Sequence, residues 1–410
     1  MSKNINSTTK LPDGWRWVKL IEVCEEKTGT RDPQLQPTDT FRYVDISSVD
    51  NTQKRILDAS VLFGKDAPSR ARQVINAGDI IVSTTRPNLN AVALVPYEFN
   101  NQICSTGFCV LRSKKELERN YLFAYVRSPD FVKKLSDLVK GALYPAVTDK
   151  QVKAQVIPLP PLPEQKRIAA ILNEKMAAVE KARAAAETQL EAAKDLPSAY
   201  LRKVLKYYPG EKLPEGWRWV NVKDVCSQIN YGYTASADFD LKYPKFLRIT
   251  DIQNGNVEWN NVPSCQISSN DEESYLLYTG DIVFARTGGT TGKSFLIKDP
   301  PRAVYASYLI RLRPKNEILS DFIYFFFQST EYWQQIRNSA RGGAQPNVNA
   351  SLLGSLVFPL PPLPSQRRIA AILTEQMTEV ERLKKSLEDE LDSIKSLPAA
   401  LLRQAFGGKL

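Results

Sequence analysis

The chain has 410 residues, too many for one ordinary hydrophobic core, so two domains or more are expected. Lys and Arg outnumber Asp and Glu by 55 to 45 with no histidine at all, so the net charge is +10 and suits a polyanionic partner. The missing histidine excludes Ser-His-Asp and Cys-His catalysis, histidine general bases and histidine metal ligands, and leaves carboxylate chemistry open.

The opening residues MSKNINSTTK lack the apolar core of a secretory signal, and no run approaches the roughly 18 apolar residues of a membrane span, so a cytoplasmic location is expected. The five cysteines are scattered; Cys104 and Cys109 lie closest and no CxxC occurs, which points to buried thiols rather than a disulfide framework or a zinc site.

Residues 11–24, LPDGWRWVKLIEVC, return at 213–226 as LPEGWRWVNVKDVC, an offset of 202. Gly78-Asp79-Ile80 recurs as Gly280-Asp281-Ile282, and KGALYPAVT at 140–148 matches RGGAQPNVN at 341–349. PLPPLPEQKRIAAILNEKM at 158–176 repeats as PLPPLPSQRRIAAILTEQM at 359–377, and Leu196-Pro197 repeats as Leu397-Pro398. The chain is one unit written twice. Insertions and deletions gather in 28–77 and 230–279, so the frame is shared while these loops diverge, as expected when two copies of one scaffold contact different things.

The first part of each repeat alternates β-branched and aromatic runs with Gly, Pro and Asn. FRYVDISSV, GDIIVST and FCVLRS in the first copy, and FLRITDI, GDIVFAR and YLIRLRP in the second, read as strands of an α/β globule. Residues 119–139 and 320–338 read as helical, with a break at Ser128-Pro129 in the first copy. The second part is a long helix. PLPPLP is an extended, stiff lead-in, and Pro163 and Pro364 suit a first helical turn, where a missing N–H costs nothing. A helix from about 163 to 196 would span roughly 50 Å. Leu172, Met176, Val179, Arg183, Ala186, Leu190 and Ala193 alternate by four and three, as do Leu373, Met377, Val380, Lys384, Leu387, Leu391 and Ile394. These are heptad seams, and the cations Arg183 and Lys384 snorkel beside them.

Three motifs resemble chemistry without completing it. Thr287-Gly-Gly-Thr-Thr-Gly-Lys-Ser294 approaches a phosphate-binding loop, but Thr287 stands where the first glycine must make the turn, and the other repeat reads Thr85-Arg86-Pro87-Asn88. Asp299-Pro300-Pro301-Arg302 approaches the tetrapeptide of amino-methylating DNA methyltransferases, with Arg302 replacing the aromatic that would stack on a flipped base. The PxxP spacings precede identical helices and read as structural rods rather than docking motifs.

The repeated LP[DE]GWRWV, GDI[IV] and PLPPLPxQ[KR]RIAAIL blocks, with the closing LLRQAFGGKL, resemble the specificity subunit of type I restriction-modification systems over almost the whole chain. The resemblance implies two α/β target-recognition domains separated by two long antiparallel helices that form a coiled-coil spacer, with pseudo-two-fold character. The implied boundaries are 1–157 for the first domain, 158–203 for the first spacer helix, 204–212 for a linker, 213–358 for the second domain and 359–410 for the second helix and tail. It also implies a subunit without chemistry or cofactor of its own, which reads a split, asymmetric site in double-stranded DNA. The partners would be methyltransferase subunits, two of them, and restriction or translocase subunits. AdoMet, ATP and Mg would belong to those partners. Candidate DNA contacts are Arg31, Arg86, Asn88 and Tyr144 in the first domain, and Tyr231, Tyr233, Arg286, Thr287, Thr290, Lys293, Gln345 and Asn347 in the second. Arginine suits guanine, and Asn or Gln suits adenine. The alternatives are a coiled-coil scaffold that reads no bases and a self-sufficient DNA-modifying enzyme.

Overall fold

The computed structural model describes residues 11–139, 145–207, 210–239, 243–253, 255–339 and 348–410. It divides into two compact units: Met1–Glu187 with Asp389–Leu410, and Thr188–Glu388. Each unit therefore combines one α/β domain with the start of one long helix and the end of the other. Among the described residues, no helix is long and apolar enough to cross a membrane.

In the first unit, Ile80–Ser83 is the centre of a three-stranded antiparallel sheet flanked by Phe108–Leu111 and Val92–Leu94. A four-stranded sheet runs Ser60–Phe63, Thr40–Val44, Gln102–Ser105, Ala71–Ile75, with its middle pair parallel. In the second unit, Cys226–Tyr231, Leu309–Pro314, Ile282–Ala285 and Ser294–Leu296 form one antiparallel sheet, and Lys245–Leu247 pairs in parallel with Ala303–Tyr305. The expected strands form where read, but FLRITDI stops at Leu247, before a 3-10 turn over Ile249–Asp251, and FRYVDISSV stops at Val44. There the Asp45 carboxylate accepts the Ser48 N–H and turns the chain into a short 3-10 helix over Ile46–Ser48. All five cysteines are free and buried, and burial pushes the thiols of Cys24 and Cys226 up to about 12.

The repeated blocks hold each domain together in the same way twice. Asp79 takes a bidentate hand from Arg112 at 2.8 and 2.7 Å, and Asp281 takes one from Arg313 at 2.8 and 2.8 Å. Gln165, buried at the helix start, accepts the Glu118 N–H and donates to the carbonyls of Pro160 and Glu116. Gln366 repeats this with Leu319 and Pro361. The glutamine of PLPPLPxQ thus satisfies carbonyls that the prolines cannot pair and fixes the angle at which the helix leaves the domain.

The helical segment of each domain is broken in both copies, into Arg119–Val126 and Pro129–Asp137, and into Ser320–Gln328 and Thr330–Ser339. The hydroxyls of Ser128 and Ser329 each accept the N–H three residues on, so the second break, which has no proline to announce it, rests on a serine cap.

The lead-ins are less rod-like than PLPPLP suggests. Val156–Leu159 and Val357–Leu360 are strands paired antiparallel with Arg16–Lys19 and Arg218–Asn221, so Pro158 and Pro359 sit on two-stranded edges. The long helices span Leu162–Leu205 and Leu363–Phe406, 44 residues each, or about 66 Å. They run straight through Pro197 and Pro398, so the first goes on past the end expected at about 196. Proline inside a helix costs about 3 kcal/mol, but the turns beyond it are held by tertiary burial. Leu201 and Leu205 enter the second unit's core beside Phe322 and Leu373, and Leu402, Ala405 and Phe406 enter the first unit's core beside Tyr121 and Leu172.

Leu172, Leu373, Val380, Leu387, Leu391 and Ile394 are buried, as are Ala186 and Ala193, while Met176, Val179, Leu190 and Met377 are half-buried. The seams therefore mark the buried faces of the helices. Arg183 pairs along its own helix with Glu180 and Glu187, and Lys384 with Glu381 at 2.8 Å.

Candidate nucleic-acid interface

Thr287–Lys293 closes a hairpin between the antiparallel strands Ile282–Ala285 and Ser294–Leu296. No helix follows it, so the donors that a helix N-terminus would give a nucleotide phosphate are missing from this loop. The turn is fixed from beneath: the Tyr332 hydroxyl donates to the Gly292 carbonyl at 2.6 Å, and a Cβ on Gly292 would meet the Trp333 ring at 3.0 Å. Thr287, Thr290 and Lys293 are exposed on it. Asp299-Pro300-Pro301-Arg302 is a turn with Asp299 at φ +43° and Arg302 donating to Glu272 at 2.6 Å.

Arg286, at the base of the hairpin, lies over the Tyr231 ring with its guanidinium carbon 4.9 Å from the centroid. The Tyr231 hydroxyl accepts the Ala350 N–H at 3.2 Å, which holds the ring as a platform. Arg286 Nε is buried without a hydrogen-bond partner. Stacking fixes the plane of the guanidinium and leaves hydrogen-bond capacity unspent, a favourable state for gripping a base edge or phosphate. Gly232 is required beside the platform, because a Cβ there would fall 2.2 Å from the Ala306 carbonyl oxygen. Tyr233 faces the other way: its N–H donates to Tyr305 O at 2.8 Å and its ring packs on Tyr275, so it belongs to the wall.

Next to Thr287 opens a cleft of about 460 Å³ lined by Thr234, Phe246, Arg248, Thr250 and Tyr308. Tyr308 is 65% exposed, and its carbonyl accepts the Arg286 N–H. Sequence reasoning took YLIRLRP as a strand and passed over the aromatic at its first position.

In the first unit the corresponding loop is built differently. Arg86 and Asn90 are both left-handed, at φ +47° and +48°, and bracket the 3-10 turn Pro87–Leu89. Backbone of this kind costs on the order of 1 kcal/mol or more per residue and gathers at functional loops. Arg86 and Asn88 are exposed on this turn, which the Arg86 N–H pins to Pro145 O at 2.7 Å. Arg31 is elsewhere in the domain, half-buried, with its guanidinium donating to Asn101 O at 3.2 Å. Tyr144, Gln345 and Asn347 lie outside the described residues. The structure thus groups Arg86 with Asn88, and Arg286 with Tyr231 and Thr287. Among the described residues, no group of three or more Cys, Asp or Glu side chains is placed to hold a metal ion.

The model of the type I restriction modification DNA specificity domain matches residues 12–187 and again 214–392. The chain is 24% identical to the type I restriction enzyme EcoKI specificity subunit of Escherichia coli K12, over 98% of this chain and 91% of that protein. It is 25% identical to the StySPI specificity subunit of Salmonella potsdam, over 98% and 90%. The crystal structure of the HsdS subunit from Thermoanaerobacter tengcongensis superposes with a TM-score of 0.73 at 33% identity, over 98% of this chain and 99% of that one. A chain solved in work on complex assembly and conformational transition of the type I restriction-modification system superposes with a TM-score of 0.85, also at 33% identity.

Proposed function

The chain belongs to the family of type I restriction-modification specificity subunits, and from that premise we propose that its two domains read the two halves of a split, asymmetric DNA site while its long helices set the gap between them. As a specificity subunit it is the DNA-recognition component of such a system and not its catalytic one. The observation that carries the reading is the unequal divergence of the repeats. The buried Asp and its Arg partner and the buried Gln recur in both units, whereas the loops that present Arg86 and Asn88 on one side, and Arg286 and Thr287 on the other, share a length but differ in sequence and construction.

In this reading, base edges are gripped by Arg86, Asn88, Arg286 and the threonines of the hairpin. Tyr231 positions Arg286, and Arg31 and Lys293 contact the backbone. Methyltransferase subunits, two of them, dock on the frame common to both halves and bring AdoMet, and restriction subunits bring ATP and Mg. A half-site on each domain is the use for which a duplicated frame with diverged loops is suited.

Co-expression with the methyltransferase, followed by genome-wide mapping of methylated adenines, should return a motif of two short, different halves separated by an unread gap. Arg286→Ala should then relax one base position at a cost of about 1–3 kcal/mol. A contiguous motif, or loss of affinity spread evenly over all sequences in the Arg286 variant, contradicts respectively the split site and the base contact.

A further inference from the structure

The first unit holds a pair of cations that its own carboxylates leave unneutralised. Arg127 follows the helix Arg119–Val126, stacks on Phe123 at 4.9 Å, and its guanidinium makes no hydrogen bond or ion pair with a described residue. Lys54, left-handed at φ +56°, donates from Nζ to Asn90 O at 2.6 Å and likewise has no ion pair. Both line a cleft of about 680 Å³ whose opposite wall is Met176, Val179, Pro398 and Leu402. Two partly desolvated like charges side by side are unfavourable unless an anion joins them. The acid on the hairpin that carries Lys54, Asp50 in Val49–Asp50 paired with Arg55–Ile56, accepts the N–H groups of Thr52 and Gln53 at 2.6 and 2.8 Å.

We propose that Lys54 and Arg127 form a phosphate clamp for the DNA backbone beside the half-site read by the first domain, a reading that rests on the proposed function. Two observations favour DNA over an acidic segment of a protein partner. The clamp is tied to the reading loop, since Lys54 bonds the Asn90 carbonyl and the Asn90 amide reaches the Arg127 carbonyl, and Asn90 ends the turn that presents Arg86 and Asn88. Among the described residues, the clamp also occurs once. The position of Arg127 in the second repeat is Gln328, whose amide donates to Ser294, and Lys54 lies in the stretch 28–77 where the repeats diverge. A partner that meets both halves alike needs the site twice, whereas a half-site needs its own.

The clamp carries its own titration signature. Burial, and secondly the charge of Arg127, pushes the Lys54 ammonium down to about 8, opposed by Asp50. The other charged groups around the cleft are Arg55 on the hairpin, Glu180 and Arg183 on the first long helix, and Lys395 on the second; Arg183 is paired with Glu180, and Lys395 with Asp392. A phosphate binds the protonated Lys54, so affinity is full below pH 8 and falls as pH rises through it.

The test uses the full complex with its methyltransferase and a duplex carrying its mapped motif. Lys54→Gln with Arg127→Gln, the latter the residue the second repeat itself uses, should lower the slope of log affinity against log salt by about two. From pH 7 to 9 the wild-type complex should lose about tenfold more affinity than Lys54→Arg. Unchanged slope and pH dependence overturn the clamp. So does impaired assembly with the methyltransferase at unchanged DNA affinity, which assigns the site to an acidic protein segment instead. A wild-type complex with no sequence preference fails the reading of function itself, a result separate from either.

Discussion

Replacing Phe406 by alanine is expected to destabilise the first unit by about 3–5 kcal/mol although this residue lies 280 positions beyond the helix it supports. Its ring meets Tyr121 at 5.3 Å and Tyr125 at 5.1 Å, both edge-on, in a core completed by Leu402 and Ala405 from the same turns and by Ile168 and Leu172 from the first long helix. The two tyrosine hydroxyls are already committed to the Pro158 and Val156 carbonyls, so the rings cannot swing into the space left behind. The void stays open, and a large-to-small change then costs its full transfer and cavity terms. Amide hydrogen exchange locates the effect. Protection over Arg119–Val126 should fall about 10²-fold or more while that over Ser320–Gln328 holds. Equal loss in both segments, or none in the first, contradicts this account of the C-terminal turns.

The second large effect is electrostatic. Asp281→Ala leaves Arg313 without the carboxylate that takes both its Nε and one terminal nitrogen, and it strips the Tyr278 N–H of its acceptor. Removing one partner of a buried pair costs about 3–5 kcal/mol; Arg313 keeps 26% of its side chain in contact with solvent, which places the expected value near the lower figure. Converting Arg313 to Met in the same chain should recover most of the loss, because the cost is that of a stranded charge rather than of a missing attraction. A double-mutant cycle by urea denaturation reads both numbers. A single-mutant loss under about 1 kcal/mol would mean that the pair is merely a surface contact.

Much of this organisation was legible in the sequence because the repeat doubles every signal. Gly-Asp-Ile before a β-branched run, seen twice, located the central strand of each domain, and the heptads located the buried face of each long helix. What escaped was the part of each motif that acts through space. Nothing beside Asp79 and Asp281 announced their role, since their partners Arg112 and Arg313 come some 30 residues later. Gln165 and Gln366 gave no local sign of their role, because nothing beside them shows that a proline-rich strand leaves its carbonyls to them. The first long helix was expected to run only to about 196, just before Pro197. Local propensity says so, and the burial of Leu201, Leu205, Leu402 and Phe406 in a domain overrides it. Among the candidate contacts, Tyr233 was chosen by its place in a divergent loop, yet its ring packs inward against Tyr275, a distinction that alternating aromatic residues in one strand end do not reveal. Lys54 and Arg127 gave no signal at all, being 73 residues apart in stretches read as a loop and a helix end.

The central claim is that two independent readers share one frame, and exchanging the second domain tests it most directly. Residues 213–358 replaced by the equivalent part of a relative leave both long helices, the buried Gln366 and the whole first unit in place, so the chimera keeps its frame. Co-expressed with the methyltransferase and mapped genome-wide, it should methylate a motif in which one half is new and the other half and the gap are those of the parent. A map in which both halves change together, or neither does, would contradict the account.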